Sequence, residues 1–244
     1  MQSKQKPTPV KKLIVVTGGT KGIGKAIVER FASQGFNIAT CARSEADLAV
    51  LKELIEHQYP GTEVYTMPAD LSKKEETLAF GDFVLGLKMP IEVLVHNTGI
   101  FLPGKILEEP EGQFEQMMTT NLYSVYYLTR SLVPAMKEAQ HGHLFNMASI
   151  ASFMGYATGG SYAITKHAQL GLHRVLREEL KEHGIRVTAV MPGPVFTASW
   201  EGVDIPQERF MKAEDIAEAV WSAYAMSERT VVEEIILRPQ LGDL

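Results

Sequence analysis

Cysteine is nearly missing from these 244 residues: Cys41 stands alone, which excludes an intrachain disulfide and the stapled secreted scaffolds that depend on one. Long apolar runs are missing too, since charges or glycines interrupt every stretch well short of the ~20 residues that span a bilayer as a helix. No sign of charge dominates. Lys plus Arg number 24 and Asp plus Glu 29, a formal net charge of -5 spread along the chain, which leaves no concentrated basic face for a phosphate backbone. The opening MQSKQKPTPVKK is polar and lysine-rich and lacks the apolar core of a secretion signal. The expectation is a soluble cytoplasmic protein that acts on small molecules, not on nucleic acid or membrane.

What is present is a regular alternation. With 45% hydrophobic side chains, a chain of this length can bury one large core. KKLIVVTG predicts a strand, and GIGKAIVERFASQG a helix in which Ile23, Ile27 and Phe31 recur every four residues before Gly35 ends it. The pattern continues as strand FNIATCA, helix from Glu45 to about His57, strand EVYTMPA, helix from Ser72 to about Lys88, and strand IEVLVHN. A long helix from about Gln113 to Ala139 follows, then strand HLFNMAS, helix from Ser161 to His183, strand RVTAVMPG, a loop-rich insert, helix from Ala213 to about Ser227, and strand VEEIILR. LIVV, VLV and VTAV are apolar without alternation, as strands covered on both faces are. The expected fold class is α/β: one domain with a seven-stranded parallel, doubly wound sheet flanked by six helices. Residues 1–11 read as a flexible tail and 12–244 as the domain, with a substrate loop at about 194–212.

Three stretches carry chemistry. The first strand runs into TGGTKGIG, where Gly18, Gly22 and Gly24 let the backbone turn tightly and approach a pyrophosphate, with Thr20, Lys21 and Ile23 beside them and a helix N-terminus aimed at the anion. The second strand ends in Cys41, Ala42 and Arg43, with no acid to hold the ribose 2′-hydroxyl of NAD; Arg43 and Lys21 together suit the 2′-phosphate of NADP(H). Solvated surface charge is the alternative for both cations. Asp70, followed by Leu71 after the third strand, could accept from an adenine amino group or cap the next helix. Finally, SYAITK sets Tyr162 and Lys166 four apart, on one face of a helix.

Taken in order, TGxxxGIG (Thr17 to Gly24), Asn97-Thr98-Gly99, Asn121 in the long helix, Ser149 after the fifth strand, YxxxK (Tyr162 to Lys166) and Pro192-Gly193 resemble the short-chain dehydrogenase/reductase family over almost the whole chain. The resemblance implies a Rossmann fold, an NADP-dependent oxidoreductase and a homodimer or homotetramer. The ending TVVEEIILRPQLGDL looks like the sepiapterin-reductase-like and 3-hydroxy-acid-dehydrogenase-like branches, not the VDGG-ending acyl-carrier-protein reductases.

Reducing a carbonyl leaves an alkoxide-like oxygen that needs a proton and a hydrogen bond. By resemblance Tyr162 donates the proton and Ser149 polarises the carbonyl. Lys166, together with the positive nicotinamide of the oxidised cofactor, would lower the phenol pKa; it would also bind the nicotinamide ribose, and Asn121 would help hold a water that links the lysine to solvent. Thr197 matches the residue that contacts the carboxamide, and Asn97, Gly99, Pro192, Gly193 and Val195 match the cofactor's other neighbours. In isolation Ser149 could instead cap a turn, and Asn121 could tie its helix to a neighbouring strand. Two departures stand out: His96 and Thr98 in HNTG replace the family's usual Asn and Ala, so cofactor affinity or geometry could differ. The HGH at 141–143 is a poor metal site without further ligands, and no metal is expected.

Substrate choice should lie in 101–104, 150–160 and 194–211, which bring Phe101, Leu102, Phe153, Met154, Tyr156, Phe196, Trp200, Phe210 and Met211 with few charges. An apolar or aromatic carbonyl compound, such as a diketone or a sepiapterin-type pterin, fits. A 3-oxoacyl thioester reductase and a non-catalytic NADP-binding regulatory protein are the alternatives. On the helix from Ser161, Ile164, Ala168, Leu172, Val175 and Leu176 form the expected core stripe, while Ala163 and Leu170 fall outside it. Apolar surface on several sides of this helix and of the 113–139 helix points to a homo-oligomer.

Overall fold

The computed structural model describes residues 11–197 and 204–244. Strands β1 (Leu13–Thr17), β2 (Asn37–Ala42), β3 (Val64–Pro68), β4 (Ile91–His96), β5 (Gly142–Met147), β6 (Ile185–Pro192) and β7 (Glu234–Leu237) form one sheet in the order β3-β2-β1-β4-β5-β6-β7. All the pairings are parallel. β1 is buried along its whole length, which is what the unalternating LIVV pattern predicts.

Helices cover both faces. α1 (Gly22–Ala32), α2 (Glu45–Gln58) and α7 (Ala213–Tyr224) pack on one side, where Phe31 meets Phe36, Trp221 and Tyr224 edge to face or tilted. On the other side lie α3 (Lys74–Gly86), α5 (Ser124–Ala139) and α6 (Gly160–Leu180), with Phe80, Leu128, Leu132 and Leu176 in the core. Full burial of a side chain such as Phe31 or Phe80 contributes about 1.5–3 kcal/mol. The chain moves outward from β1 to β3 and then crosses back to β4. The strand order therefore reverses between β1 and β4, which opens a crevice at their carboxyl ends.

Two expectations need correction. The helix expected over 113–139 is α4 (Gln113–Met118) joined to α5 through a π-helical turn, Thr119–Tyr123, with Asn121 at its middle. Such turns widen a helix and occur at functional sites. On α6, the stripe read as core faces partly outward: Ile164 is 44% and Val175 54% exposed. The buried face carries Ser161, Thr165, Lys166, Gln169, Leu170 and His173 instead.

Candidate active site

The crevice is built from backbone. The Thr17 hydroxyl accepts the N–H groups of Asn97 (2.9 Å) and Thr98 (3.0 Å), and the Asn97 amide donates back to the Thr17 (3.0 Å) and Gly18 (3.2 Å) carbonyls, lacing the ends of β1 and β4 together. Gly18 and Gly22 have φ of +68° and +53°, the left-handed region that favours glycine. A Cβ on Gly24 would land on the Gly18 carbonyl and 2.5 Å from Asn97 Nδ2. The first turn of α1 thus rests on bare backbone, a cradle that suits a pyrophosphate. Thr20 is half-buried in this turn, and Ile23 packs against the core below it. The Thr197 methyl group would lie 3.1 Å from a Cβ on Gly22, so the segment after β6 reaches over the turn.

At the β2 and β3 end of the crevice, Lys21 pairs with Asp47 at 2.9 Å and Arg43 is exposed. Asp70 Oδ1 accepts from both the N–H (3.0 Å) and the hydroxyl (2.8 Å) of Ser72, so this carboxylate closes the turn before α3. Leu71 turns its side chain into the core.

At the β4 and β5 end, four predicted residues come together. Ser149 follows β5; its Oγ accepts the Ala151 N–H at 3.2 Å, and its hydroxyl stands near enough to the Tyr162 phenol to favour the phenolate. Capping the turn and meeting the phenol are therefore compatible. Lys166, one helical turn beyond Tyr162, donates from Nζ to the Met147 carbonyl and to Gln169 Oε1, both at 2.9 Å, and lies 5.7 Å from the Tyr162 ring centroid. Asn121 accepts the Ile100 N–H at 2.8 Å and donates to the Ile100 carbonyl (3.0 Å) and Thr165 Oγ1 (3.1 Å). It ties the π turn to the Gly99–Ile100 loop and to α6, and a Cβ on Gly99 would sit 3.7 Å from Lys166 Nζ. The Phe101 ring stands edge-on to Tyr162 with centroids 4.9 Å apart.

After β6, the Gly193 N–H donates to the Leu237 carbonyl at 2.8 Å, and Val195 bridges to Met211. Phe196 meets the buried Phe210 at 5.6 Å. Trp200, expected to face substrate, lies outside the described residues. A family model described as short chain dehydrogenase matches residues 12–207. The chain belongs to that family.

This oxidoreductase has relatives of nearly its own length. A sepiapterin reductase from Chlorobaculum tepidum is 33% identical over 96% of this chain and 99% of its own. Among solved structures, an alcohol dehydrogenase from the archaeon Thermococcus sibiricus, complexed with 5-hydroxy-NADP, superimposes with a TM-score of 0.89 at 29% identity, covering 96% of this chain and 99% of its own. A serine dehydrogenase in its closed form, complexed with NADP+, gives a TM-score of 0.85 at 27% identity, with 95% and 96% covered.

Burial dominates the electrostatics of this dehydrogenase site. Burial pushes the Tyr162 phenol up to about 12, with the nearby Ser149 hydroxyl pulling the other way, and burial brings Lys166 down to about 7. At neutral pH the charge of this lysine is marginal, because a buried ammonium has lost its hydration and faces no carboxylate.

The departures in HNTG turn out to be structural contacts. His96 is buried, holds Thr129 Oγ1 of α5 at 2.9 Å, and burial drops it to about 3, a neutral ring. Thr98 Oγ1 lies 3.0 Å from the Cβ position of Gly18. In the HGH stretch, His141 pairs with Glu92 (3.1 Å) while His143 is buried against Thr188 Oγ1 (2.7 Å), so the two rings serve different places.

Three residues at the site escaped the sequence reading. Gln169 was visible only as the position three after Lys166. Asn146, its partner at 3.1 Å, sits on another strand. Glu109 accepts from the Ser161 N–H at 2.8 Å and from the Ser161 hydroxyl, capping the helix that carries Tyr162 from a loop 52 residues away, and no local pattern announces it.

Proposed function

We propose that this protein reduces a carbonyl group of an apolar or aromatic small molecule to an alcohol, with NADPH as reductant. The observation that carries the proposal is the Tyr162 phenol with the Ser149 hydroxyl beside it, faced by the Phe101 ring at 4.9 Å and backed by the buried Lys166, 5.7 Å from its ring centroid. Gly18, Thr20, Lys21, Gly22, Ile23 and Gly24 would hold the pyrophosphate, and Arg43, Asp70 and Leu71 the adenosine half. Asn97, Gly99, Pro192, Gly193, Val195 and Thr197 would line the nicotinamide half. The choice of NADPH is supported by Lys21 and Arg43 at the adenosine end and by the NADP-type ligands of the two solved relatives.

When bound, the cofactor supplies the hydride to the carbonyl carbon. Tyr162 gives its phenolic proton to the oxygen as charge develops there. A phenol held at about 12 stays protonated at neutral pH, the state a donor needs. Ser149, beside that phenol, directs the carbonyl oxygen towards it. The phenolate then recovers a proton from Lys166, whose value near 7 makes it a ready source at neutral pH. Asn121 holds the Gly99–Ile100 loop against Lys166, where a water can resupply that proton.

Phe101, Phe153, Tyr156 and Phe196 give the substrate side its apolar character. The last three are exposed by 40–43% and are open to cover by a ligand. The outward Ile164 and Val175 of α6, together with the exposed Tyr123 and Tyr126, support a homo-oligomer, to be tested by sedimentation velocity. No helix of the described residues is long and apolar enough to cross a membrane.

The test of function is loss of NADPH absorbance against diketones, aromatic ketones, a sepiapterin-like pterin and an acetoacetyl thioester, with Tyr162→Phe alongside. Turnover of an aromatic or diketone substrate that Tyr162→Phe abolishes is the expected result. NADPH binding without turnover of any of them would point to a regulatory protein, and preference for the thioester to an acyl reductase.

A further inference from the structure

Behind Lys166 lies a polar chain with no route to solvent. Lys166 is 4% exposed, and Gln169 and Asn146 are both fully buried. Lys166 Nζ donates to Gln169 Oε1 at 2.9 Å, and Gln169 Nε2 donates to Asn146 Oδ1 at 3.1 Å. Among the described residues Asn146 Nδ2 has no partner, an omission that costs about 1–3 kcal/mol in a buried site.

This unsatisfied donor has an explanation in the direction of the chain. Turning the Gln169 amide over would set its NH2 against the ammonium and its oxygen against Asn146 Oδ1, two repulsions in a low-dielectric interior. Rotating Asn146 to satisfy its own amide nitrogen would remove the acceptor that holds Gln169 in place. Asn146 thus gives up a hydrogen bond and keeps the Gln169 oxygen aimed at Lys166. Met147, next on β5, supplies its carbonyl as the second acceptor at 2.9 Å. With two of its three N–H bonds directed into the protein, Nζ keeps one for the side where Tyr162 and Gly99 lie.

We infer that Gln169, anchored by Asn146, is a positioning residue that holds the Lys166 ammonium in place for proton return to Tyr162. The inference rests on the function proposed above. Gln169 is neutral, and that matters as much as its position. A carboxylate there would lock the lysine in its charged form, whereas an apolar side chain would leave the buried ammonium with one acceptor fewer and favour its neutral form. The groups set against Lys166 are Tyr162 and Gln169 from α6, the Met147 carbonyl from β5 and Gly99 from the loop after β4, with Asn146 behind Gln169 and Asn121 behind Gly99. His96, beside Asn146 in the sheet register, is neutral and committed to Thr129. Burial alone shifts Lys166, so a change at Gln169 should register without competition from another charge.

The experiment is the pH profile of kcat for Gln169→Leu and Gln169→Glu beside the wild type and Tyr162→Phe, with KM, melting temperature and NADPH binding for each. The expected result is an alkaline limb of kcat that moves to lower pH in Gln169→Leu and to higher pH in Gln169→Glu, each by about one unit. At neutral pH, kcat of Gln169→Leu should fall about tenfold, the size of one misplaced charge-assisted hydrogen bond, while KM for the carbonyl substrate stays within about twofold. Should Gln169→Leu fail to fold, the direction of the limb in Gln169→Glu decides alone. Unshifted limbs in the folded variants, with or without a lower melting temperature, would reduce Gln169 to a packing residue. Tyr162→Phe separates the two levels: if it retains full turnover, the proposed function itself fails, whereas an inactive Tyr162→Phe beside unshifted Gln169 variants overturns only this inference.

Discussion

A tyrosine and a lysine meet at each end of the sheet, with opposite consequences. Where the strands begin, Lys12 Nζ donates to the Tyr224 hydroxyl and to Glu92 Oε1, both at 2.8 Å, and the phenol also donates to Glu92 at 2.5 Å. Burial pulls Lys12 down, but the bonds to Glu92 and Tyr224 outweigh it and the ammonium is raised overall. Burial and Glu92 push Tyr224 up to about 12. Where the strands end, Lys166 has only neutral acceptors and sinks to about 7, beside a phenol that burial holds at about 12. A carboxylate and water make one pair a permanently charged strut; their absence leaves the other able to exchange a proton near neutrality. The pairing of residue types decides nothing until its surroundings are known.

The largest effect should come from exchanging the two phenols. Tyr162→Phe should lower kcat by about 10²–10⁴-fold. Tyr224→Phe should leave kcat within about twofold and lower stability to urea by about 1–3 kcal/mol, through lost bonds to charged partners. Comparable loss of turnover in both variants would erase the distinction between the ends. The lysines sharpen the contrast. Lys166→Met should cut kcat about 10²-fold, and Lys12→Met should leave turnover unchanged, as steady-state rates with NADPH will tell.

A third contrast is pH dependence. Burial would raise Glu92, but its bonds to Lys12, Tyr224 and His141 prevail and hold the carboxyl below the usual range. A carboxylate depressed in the folded state contributes stability that is present above its unfolded value, about 4.3, and is lost as pH falls through the folded one. Urea melts between pH 7 and pH 3 should therefore show the wild type losing more stability on acidification than Glu92→Gln. An equal loss in both would place the acid sensitivity elsewhere. The smallest effect is expected at Thr98→Ala, which removes a hydroxyl beside Gly18 and should change NADPH affinity, measured by fluorescence titration, by no more than about 0.5 kcal/mol.

Much of the fold was legible in sequence because its signals are local. Unalternating strands announce burial on both faces, and glycines at 18, 22 and 24 announce a backbone cradle. Asn121, Ser149, Tyr162 and Lys166 were legible as a set, and the structure gathers them at one end of β4, β5 and α6. The π turn at Asn121 was not legible, because the apolar spacing of 113–139 is compatible with an unbroken helix. The buried face of α6 was misread for a physical reason. A stripe rule equates apolar with inward, yet this helix turns Lys166, Gln169 and His173 inward as a wall of the site and leaves Ile164 and Val175 outside.

By itself, the sequence determined the alternation of strands and helices, the glycine turn and the candidate residues for proton exchange, since each depends on neighbours within a few positions. Only the tertiary structure decided that Gln169 reaches Asn146, that Glu109 caps the helix of Tyr162, and that Lys166 rather than Lys12 is stripped of water and carboxylates. Burial and long-range pairing set the charge a side chain carries, and both arise only when distant segments pack together.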